Sequence, residues 1–97
     1  MIAVKFSTSA CPQCVQQAEM LKKWPLNIDL INIVLDVDDI SEDVIDAFDI
    51  SSVPSIVIFN EFNKNMSPDV IKKNELMRFN GLTAPTKINK WLEEYYG

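Results

Sequence analysis

Histidine is absent from this chain of 97 residues. Cys–His proteolytic catalysis and the usual zinc sites depend on that side chain, so its absence excludes both. Basic residues are also scarce, because nine Lys and Arg stand against fourteen Asp and Glu, for a net charge of −5. Nucleic-acid binding requires a basic face, and we therefore expect no nucleic-acid partner.

Long apolar runs are missing as well. No stretch approaches the ~20 residues that a membrane-spanning helix needs. Residues 1–6 lack the basic start, the long apolar region and the small-residue cleavage site of a signal peptide. We expect a cytoplasmic protein with no membrane partner. Its length suits one hydrophobic core and is too short for two, so residues 1–97 are predicted to form a single, monomeric domain.

Cysteine occurs only twice, in the motif Cys11-Pro12-Gln13-Cys14. An apolar run precedes the motif and a helical pattern follows it, which is the layout of a dithiol/disulfide redox site. A structural bridge across so short a loop would add little stability. Two thiolates supply only half of a tetrahedral metal site, so we expect no metal and no cofactor beyond a redox-active Cys11–Cys14 disulfide.

The pattern of apolar residues predicts seven elements in the order β-α-β-α-β-β-α. The predicted strands cover residues 1–6, 28–37, 55–59 and 75–79, and the predicted helices run from Pro12 to Lys23, after Ser41 and from Pro85. Residues 28–37 are apolar enough for a strand at the centre of the sheet. Residues 60–74 are polar and predict a loop with one helical turn from Ser67-Pro68. The expected fold class is α/β, with a four-stranded mixed sheet and three helices.

Two helical faces are predicted to be buried. In the first helix the buried face consists of positions spaced i, i+4, i+7. In the last helix it consists of positions spaced i, i+3, i+4, i+7. The first set is Cys14, Ala18 and Leu21, and the second is Ile88, Trp91, Leu92 and Tyr95.

This arrangement resembles the thioredoxin/glutaredoxin superfamily over nearly the whole chain. Cys11-Pro12-Gln13-Cys14 aligns with its redox motif. Ser52-Val53-Pro54-Ser55 aligns with the loop that carries its cis-proline, and Phe79-Asn80-Gly81 with the glycine turn before its last helix. The resemblance implies the thioredoxin fold.

The sequence has features that resemble each of the two branches of the superfamily. The segment from Phe6 to Cys14 looks like a glutaredoxin opening, whereas the segment from Phe79 to Thr83 is thioredoxin-like. Glutaredoxins hold glutathione with a Gly-Gly pair, and this chain has only Gly81 and Gly97. The compact combination resembles the small thioredoxins of bacteria and bacteriophages.

The resemblance implies a protein disulfide oxidoreductase that reduces disulfides of substrate proteins. Its electrons would come from a thioredoxin-reductase-like flavoenzyme, and ribonucleotide reductase is an expected substrate. One alternative is a glutaredoxin-like enzyme that uses glutathione. Another is a thioredoxin-fold binding module without catalysis.

The position of each cysteine suggests its role. Pro12 suits the first position of a helix, which places Cys11 at the N-cap, where unpaired amides and the helix dipole favour a thiolate. Cys11 is therefore the expected nucleophile, and Cys14, on the apolar face, is the expected resolving thiol. The resemblance adds six supporting or substrate-binding residues, namely Ala10, Pro12, Gln13, Val53, Pro54 and Gly81.

Lys5 departs from the superfamily pattern, because many thioredoxins have a buried Asp six residues before the first cysteine. Its ammonium group could stabilise a thiolate and so modulate the cysteine pKa. Alternatively, Lys5 pairs with Asp36 or Asp38, or extends its ammonium out of the sheet edge. Ala10 is a second departure, since it stands where those thioredoxins have Trp.

Overall fold

The computed structural model describes residues 1–96 as a four-stranded sheet with helices on both faces. The elements in chain order are β1 (Ile2–Ser7), α1 (Pro12–Lys23), β2 (Asp29–Val34), α2 (Glu42–Phe48), β3 (Ser55–Phe59), α3 (Pro68–Asn74), β4 (Glu75–Asn80) and α4 (Pro85–Tyr96). The strand order is β2-β1-β3-β4, with β1 parallel to β2 and the other pairs antiparallel. The predicted fold class is confirmed, although the described helices number four.

The additional helix is α3, which lies where the sequence predicted a loop with one helical turn. Ser67 caps it, because its hydroxyl accepts the Val70 N–H over 3.4 Å, and Pro68 occupies the first turn. Ile71 on α3 is 1% exposed, and Phe62 before it is also buried. The polar residues around these two side chains obscured the helix in the sequence.

Strand β2 lies at an edge of the sheet, so its predicted central position was wrong. Only Ile33 is buried in it. The strand ends at Val34 rather than at residue 37 because the chain turns there. The Asp38 amide donates to the Val34 carbonyl, and the Asp38 carboxylate accepts the Val34 N–H, each over 2.8 Å. The apolar composition of a strand does not show how many other strands will lie beside it in the sheet.

The two faces of the sheet carry separate apolar clusters. One cluster packs against α2 and α3 and includes Phe6 and Phe48, whose ring centroids lie 4.6 Å apart. The other packs against α1 and α4 and includes Leu21 and Ile88. Burial of both faces is what holds the four helices on the sheet.

Helix α4 departs from prediction at two positions. Ile88 and Leu92 are buried, as their spacing predicts, whereas Trp91 is only half-buried. Tyr95, however, is 52% exposed and stacks on Trp91 with 5.1 Å between ring centroids. No helix in residues 1–96 has the length and apolar character needed to cross a bilayer.

Arg78 on β4 ties the end of α2 to the sheet. Its guanidinium donates to the carbonyls of Phe48 and Asp49, over 2.7 Å in each case. Glu75 holds the guanidinium in a two-pronged ion pair, which raises the Arg78 pKa. These bonds therefore hold the beginning of the loop that follows α2 against β4.

The strand register brings three loops to one edge of the sheet. Phe6 pairs with Ser55, and Ser55 pairs with Asn80, so these residues form one row across β1, β3 and β4. Beyond the row lie the cysteine motif, the Val53-Pro54 segment and Gly81. The three segments singled out in the sequence thus leave the sheet on the same side.

Candidate functional site

Cys11 and Cys14 form a disulfide at the start of α1, with their Cα atoms 5.2 Å apart. Cys11 is the N-cap residue and has extended backbone angles, as the position of Pro12 predicts. Its Sγ atom accepts the backbone N–H of Cys14 over 3.1 Å. The first turn of α1 contains no acidic residue. A thiolate at Cys11 would therefore meet a donor and the positive helix end without a competing carboxylate in that turn.

The two sulfur positions differ in exposure. Cys14 is 5% exposed, whereas Cys11 is only half-buried. Attack on another disulfide requires an accessible thiolate, and Cys11 is the better placed of the two. Ala10, Pro12 and Gln13 surround it and are exposed.

The second loop at this edge contains the Val53–Pro54 peptide bond, which is cis. Pro54 is buried and Val53 is half-buried. The Ser55 hydroxyl donates to the Ser52 carbonyl over 2.6 Å and closes the turn. Within residues 1–96 the Val53 backbone makes no hydrogen bond to another backbone group. Its N–H and C=O are thus free to pair with an added strand.

The third loop begins at Gly81, which has a φ of 77°. Residues with a side chain rarely adopt this left-handed backbone conformation, whereas glycine adopts it without strain. Leu82 follows and is 39% exposed. The turn therefore presents a small residue and an apolar side chain beside the loop that contains Pro54.

Asp36 anchors the loop that leads to the cysteines, a role that the sequence did not predict. Its carboxylate accepts the Ser9 N–H over 2.9 Å and also accepts a hydrogen bond from the Ser9 hydroxyl. These two bonds hold the Asp36 pKa below its ordinary value, with the hydroxyl as the larger cause. Asp36 follows the end of β2, so the parallel β1–β2 pair brings it to Ser9. An Asp after an edge strand is a weak signal by itself.

Gln17 is a second residue that sequence analysis missed. It is 0% exposed and forms two hydrogen bonds with the Thr83 backbone, each 2.9 Å long. The buried face of α1 therefore consists of Cys14, Gln17 and Leu21, whereas Ala18, which was predicted to lie on it, is only half-buried. The spacing of Gln17 from Cys14 was the available signal, but a polar residue does not by itself mark a buried position.

Lys5 lies on the face of β1 that α1 covers, and its side chain is 7% exposed. It pairs with neither Asp36 nor Asp38, and those carboxylates accept hydrogen bonds from Ser9 and Val34 respectively. Within residues 1–96 it forms no ion pair at all. Burial removes water from the ammonium group and lowers the Lys5 pKa. The predicted pairing with Asp36 or Asp38 was therefore wrong.

The side chain of Lys5 borders a cavity of about 420 Å³ at the β2 edge. The other lining residues are Ala18, Leu21, Lys22, Leu30 and Asn32. Cys14 is not among them, and Ala18 lies one helical turn beyond it. The structure thus places Lys5 beneath α1, offset from the disulfide toward the sheet edge, in agreement with the alternative that its ammonium extends outward.

Other features of the described chain lie apart from the cysteines. A second cavity, of about 670 Å³, is bordered by charged groups that include Lys72, Glu75 and Arg78, and neither cysteine lines it. Residues 1–96 contain no cluster of three or more Cys, Asp or Glu side chains arranged to hold a metal ion.

Comparison with known proteins agrees with this geometry. A sequence profile of the glutaredoxin family matches residues 3–63, which include both cysteines and Pro54. No curated protein matches the chain significantly.

Several solved structures are similar in fold. The structure of a malarial protein has 17% identity and a TM-score of 0.68, over 99% of this chain and 97% of that one. Thioredoxin-2 of the malaria parasite has 18% identity and a TM-score of 0.64, over 96% and 81%. Thioredoxin of Fasciola hepatica has 21% identity and a TM-score of 0.60, over 96% and 78%. At these identities the likeness establishes the fold.

Proposed function

Because this chain belongs to the glutaredoxin family, within the thioredoxin/glutaredoxin superfamily, we propose that it reduces disulfide bonds of substrate proteins. The family and the close cysteine pair support a thiol–disulfide oxidoreductase. Proteins of this superfamily use their own cysteines and need no cofactor. The observation that carries the proposal is the asymmetry of the pair, with Cys11 accessible at the N-cap of α1 and Cys14 buried beneath it.

The proposed reaction transfers two electrons from the cysteines to the substrate. The Cys11 thiolate attacks one sulfur of the substrate disulfide, whose S–S bond breaks as a mixed disulfide forms. The departing sulfur keeps the bonding pair and takes a proton from water. Cys14, once deprotonated, attacks the Cys11 sulfur, and the second substrate thiol leaves. The substrate is then a dithiol and the protein a disulfide, which a reductant must reduce again.

The proposed substrate lies across the edge where the three loops meet. An extended segment of the substrate could pair with the free N–H and C=O of Val53, as a short β-strand added beside this loop. Pro54 and Gly81, in the loops at the neighbouring ends of β3 and β4, would border that segment. Ala10, Pro12 and Gln13 are exposed around Cys11 and would contact the residues that flank the substrate cysteine.

Lys5 enters the proposal as a modulator of the cysteine pKa. Its side chain lies under α1, and within residues 1–96 its ammonium forms no ion pair. A positive charge in low-dielectric surroundings favours a nearby thiolate. Because Lys5 is offset toward Ala18, we expect it to change the cysteine pKa only modestly and not to contact the sulfur atoms.

The natural reductant is proposed to be a thioredoxin-reductase-like flavoenzyme, and ribonucleotide reductase is a proposed substrate. The test measures the reduction potential of the Cys11–Cys14 pair by equilibration with glutathione. It also measures turnover with the flavoenzyme as reductant and, separately, with glutathione as reductant. A potential near ~−270 mV, with turnover driven by the flavoenzyme, supports the proposal. Failure to cycle between dithiol and disulfide would reject it and favour a binding module.

A glutathione-dependent activity is the second candidate, and the glutaredoxin family match favours it. The absence of a Gly-Gly pair weighs against it, because Gly81 and Gly97 are the only glycines. A potential near ~−200 mV with turnover driven by glutathione would select this candidate. The same experiment therefore separates the two.

A further inference from the structure

Gln17 joins the helix of the disulfide to the loop between β4 and α4. Its side-chain N–H donates to the Thr83 carbonyl and its side-chain oxygen accepts the Thr83 N–H, each over 2.9 Å. Both polar groups of one amide are thus bonded to one backbone residue, and the amide cannot rotate without breaking both bonds. Gln17 lies one helical turn beyond Cys14 and is 0% exposed.

Thr83 extends this connection to the glycine turn. Its hydroxyl donates to the Gly81 carbonyl over 3.0 Å, and the residue is 8% exposed. Leu82 lies between these two residues and points partly into solvent. A chain of three hydrogen bonds therefore leads from α1, through Thr83, to the segment that contains Gly81 and Leu82.

We propose that Gln17 is a positioning residue that makes the protein prefer polypeptide disulfides over small ones. It holds Gly81 and Leu82 in place relative to the Cys11–Cys14 pair, and this inference rests on the proposed function. A small disulfide needs access only to the Cys11 sulfur. An extended polypeptide must also fit between Val53 and the Gly81–Leu82 segment, and a pre-ordered wall lowers the entropy lost on binding.

A purely structural role for Gln17 makes a different prediction. A buried amide that merely satisfies two backbone groups would stabilise the fold, and its loss would affect all substrates alike. The substrate dependence of the change therefore distinguishes positioning from stability.

The test compares Gln17→Met with Gln16→Met. The first variant keeps the length of the side chain but removes both hydrogen bonds, and the second makes the same change at the exposed neighbouring position. The fully reduced protein is mixed with insulin or with 5,5′-dithiobis(2-nitrobenzoic acid), and the second-order rate constant of its oxidation is measured in a single turnover. This design needs no natural reductant.

Gln17→Met is expected to slow the reaction with insulin about tenfold and to leave the rate with the small disulfide within about twofold of the wild-type rate. Its equilibrium constant with glutathione stays within about twofold of the wild-type value, and Gln16→Met changes none of these quantities. Equal losses with both substrates, or no loss with insulin, would overturn the inference and leave the proposed function intact. A wild-type protein that reduces neither substrate would instead overturn the proposed function, and the inference with it.

Gln17→Glu provides a second variant in case Gln17→Met does not fold. A carboxylate can accept the Thr83 N–H but cannot donate to its carbonyl, whereas a protonated carboxyl group can do both. The ratio of the insulin rate to the small-disulfide rate, divided by the wild-type ratio at the same pH, should be low near about pH 8 and rise toward about pH 4, where the carboxyl group is protonated. A normalised ratio that does not change with pH would contradict the positioning role.

Discussion

The backbone N–H of Cys14 points at the sulfur of Cys11, and the N···S distance is 3.1 Å. The bond exists because Cys11 is the N-cap of α1 and Cys14 lies three residues later in its first turn. In the dithiol form the same N–H would favour the Cys11 thiolate over the thiol. One local turn thus makes the two cysteines chemically unequal.

Serine substitutions test this inequality directly. Cys14→Ser should accumulate a mixed disulfide between Cys11 and the substrate, because no thiol is left to resolve it. Cys11→Ser should lower the rate of substrate reduction about 1000-fold or more and trap nothing, because Cys14 is buried. Mass spectrometry of the trapped species checks both results. A mixed disulfide on Cys14 in the Cys11→Ser variant would reverse the assigned roles.

Replacement of Lys5 by Met should stabilise the protein near neutral pH by at most about 1 kcal/mol, because it removes an ammonium that is partly desolvated and forms no ion pair within residues 1–96. Burial lowers the Lys5 pKa, so the unfolded chain holds this proton more tightly than the folded one. The gain should therefore be present below the lowered pKa and disappear as the pH rises to the ordinary value for lysine. Urea unfolding at several pH values measures it.

Lys22→Met is the matched control for Lys5, since Lys22 borders the same cavity but is exposed. Its free energy of unfolding should change by less than about 0.5 kcal/mol. In the Lys5→Met variant, the pKa of the Cys11 thiol should also rise, because a nearby positive charge is lost. An unchanged thiol pKa would end the role of Lys5 as a modulator without affecting the stability prediction.

Asp36→Ala should loosen the loop before the cysteines, because it removes the carboxylate that accepts two hydrogen bonds from Ser9. Hydrogen exchange of the Ser9 amide should become about tenfold faster. The folded pKa of Asp36 is lowered, so the wild-type anchor is present above the ordinary pKa and is lost as the pH falls through the lowered value. Asp39→Ala, at an exposed position after the same turn, should leave the exchange rate of the Ser9 amide unchanged.

Ile71→Ala should destabilise the protein by about 2–4 kcal/mol, because Ile71 is 1% exposed in the apolar cluster under α3. Val70→Ala, at the exposed neighbouring position, should change the free energy of unfolding by less than about 0.5 kcal/mol. Chemical denaturation of both variants gives the comparison. Similar small losses in the two variants would mean that α3 is a dispensable insertion rather than part of the core.

The local sequence was a good guide to the elements near the cysteines. Pro12 in the first turn and Cys11 at the N-cap follow from residues that are adjacent in the chain. The same holds for the start of α4 at Pro85. These features depend on backbone geometry over a few residues, and such geometry is encoded locally.

Partnerships between distant segments could not be predicted in the same way. The bond of Gln17 to Thr83 spans 66 residues, and that of Ser9 to Asp36 spans 27. Each depends on the order of the strands, and β2 lies at the edge despite its apolar composition. A polar side chain that will be buried looks the same in the sequence as one that will be exposed.

The sequence by itself determined the redox motif, the fold class and the candidate nucleophile, because each follows from residue type and short spacing. Tertiary structure alone decided that Lys5 has no carboxylate partner within residues 1–96, that α3 belongs to the core, and that Gln17 bonds to the Thr83 backbone. These outcomes depend on the pairing of the strands, since it brings distant side chains within hydrogen-bonding distance.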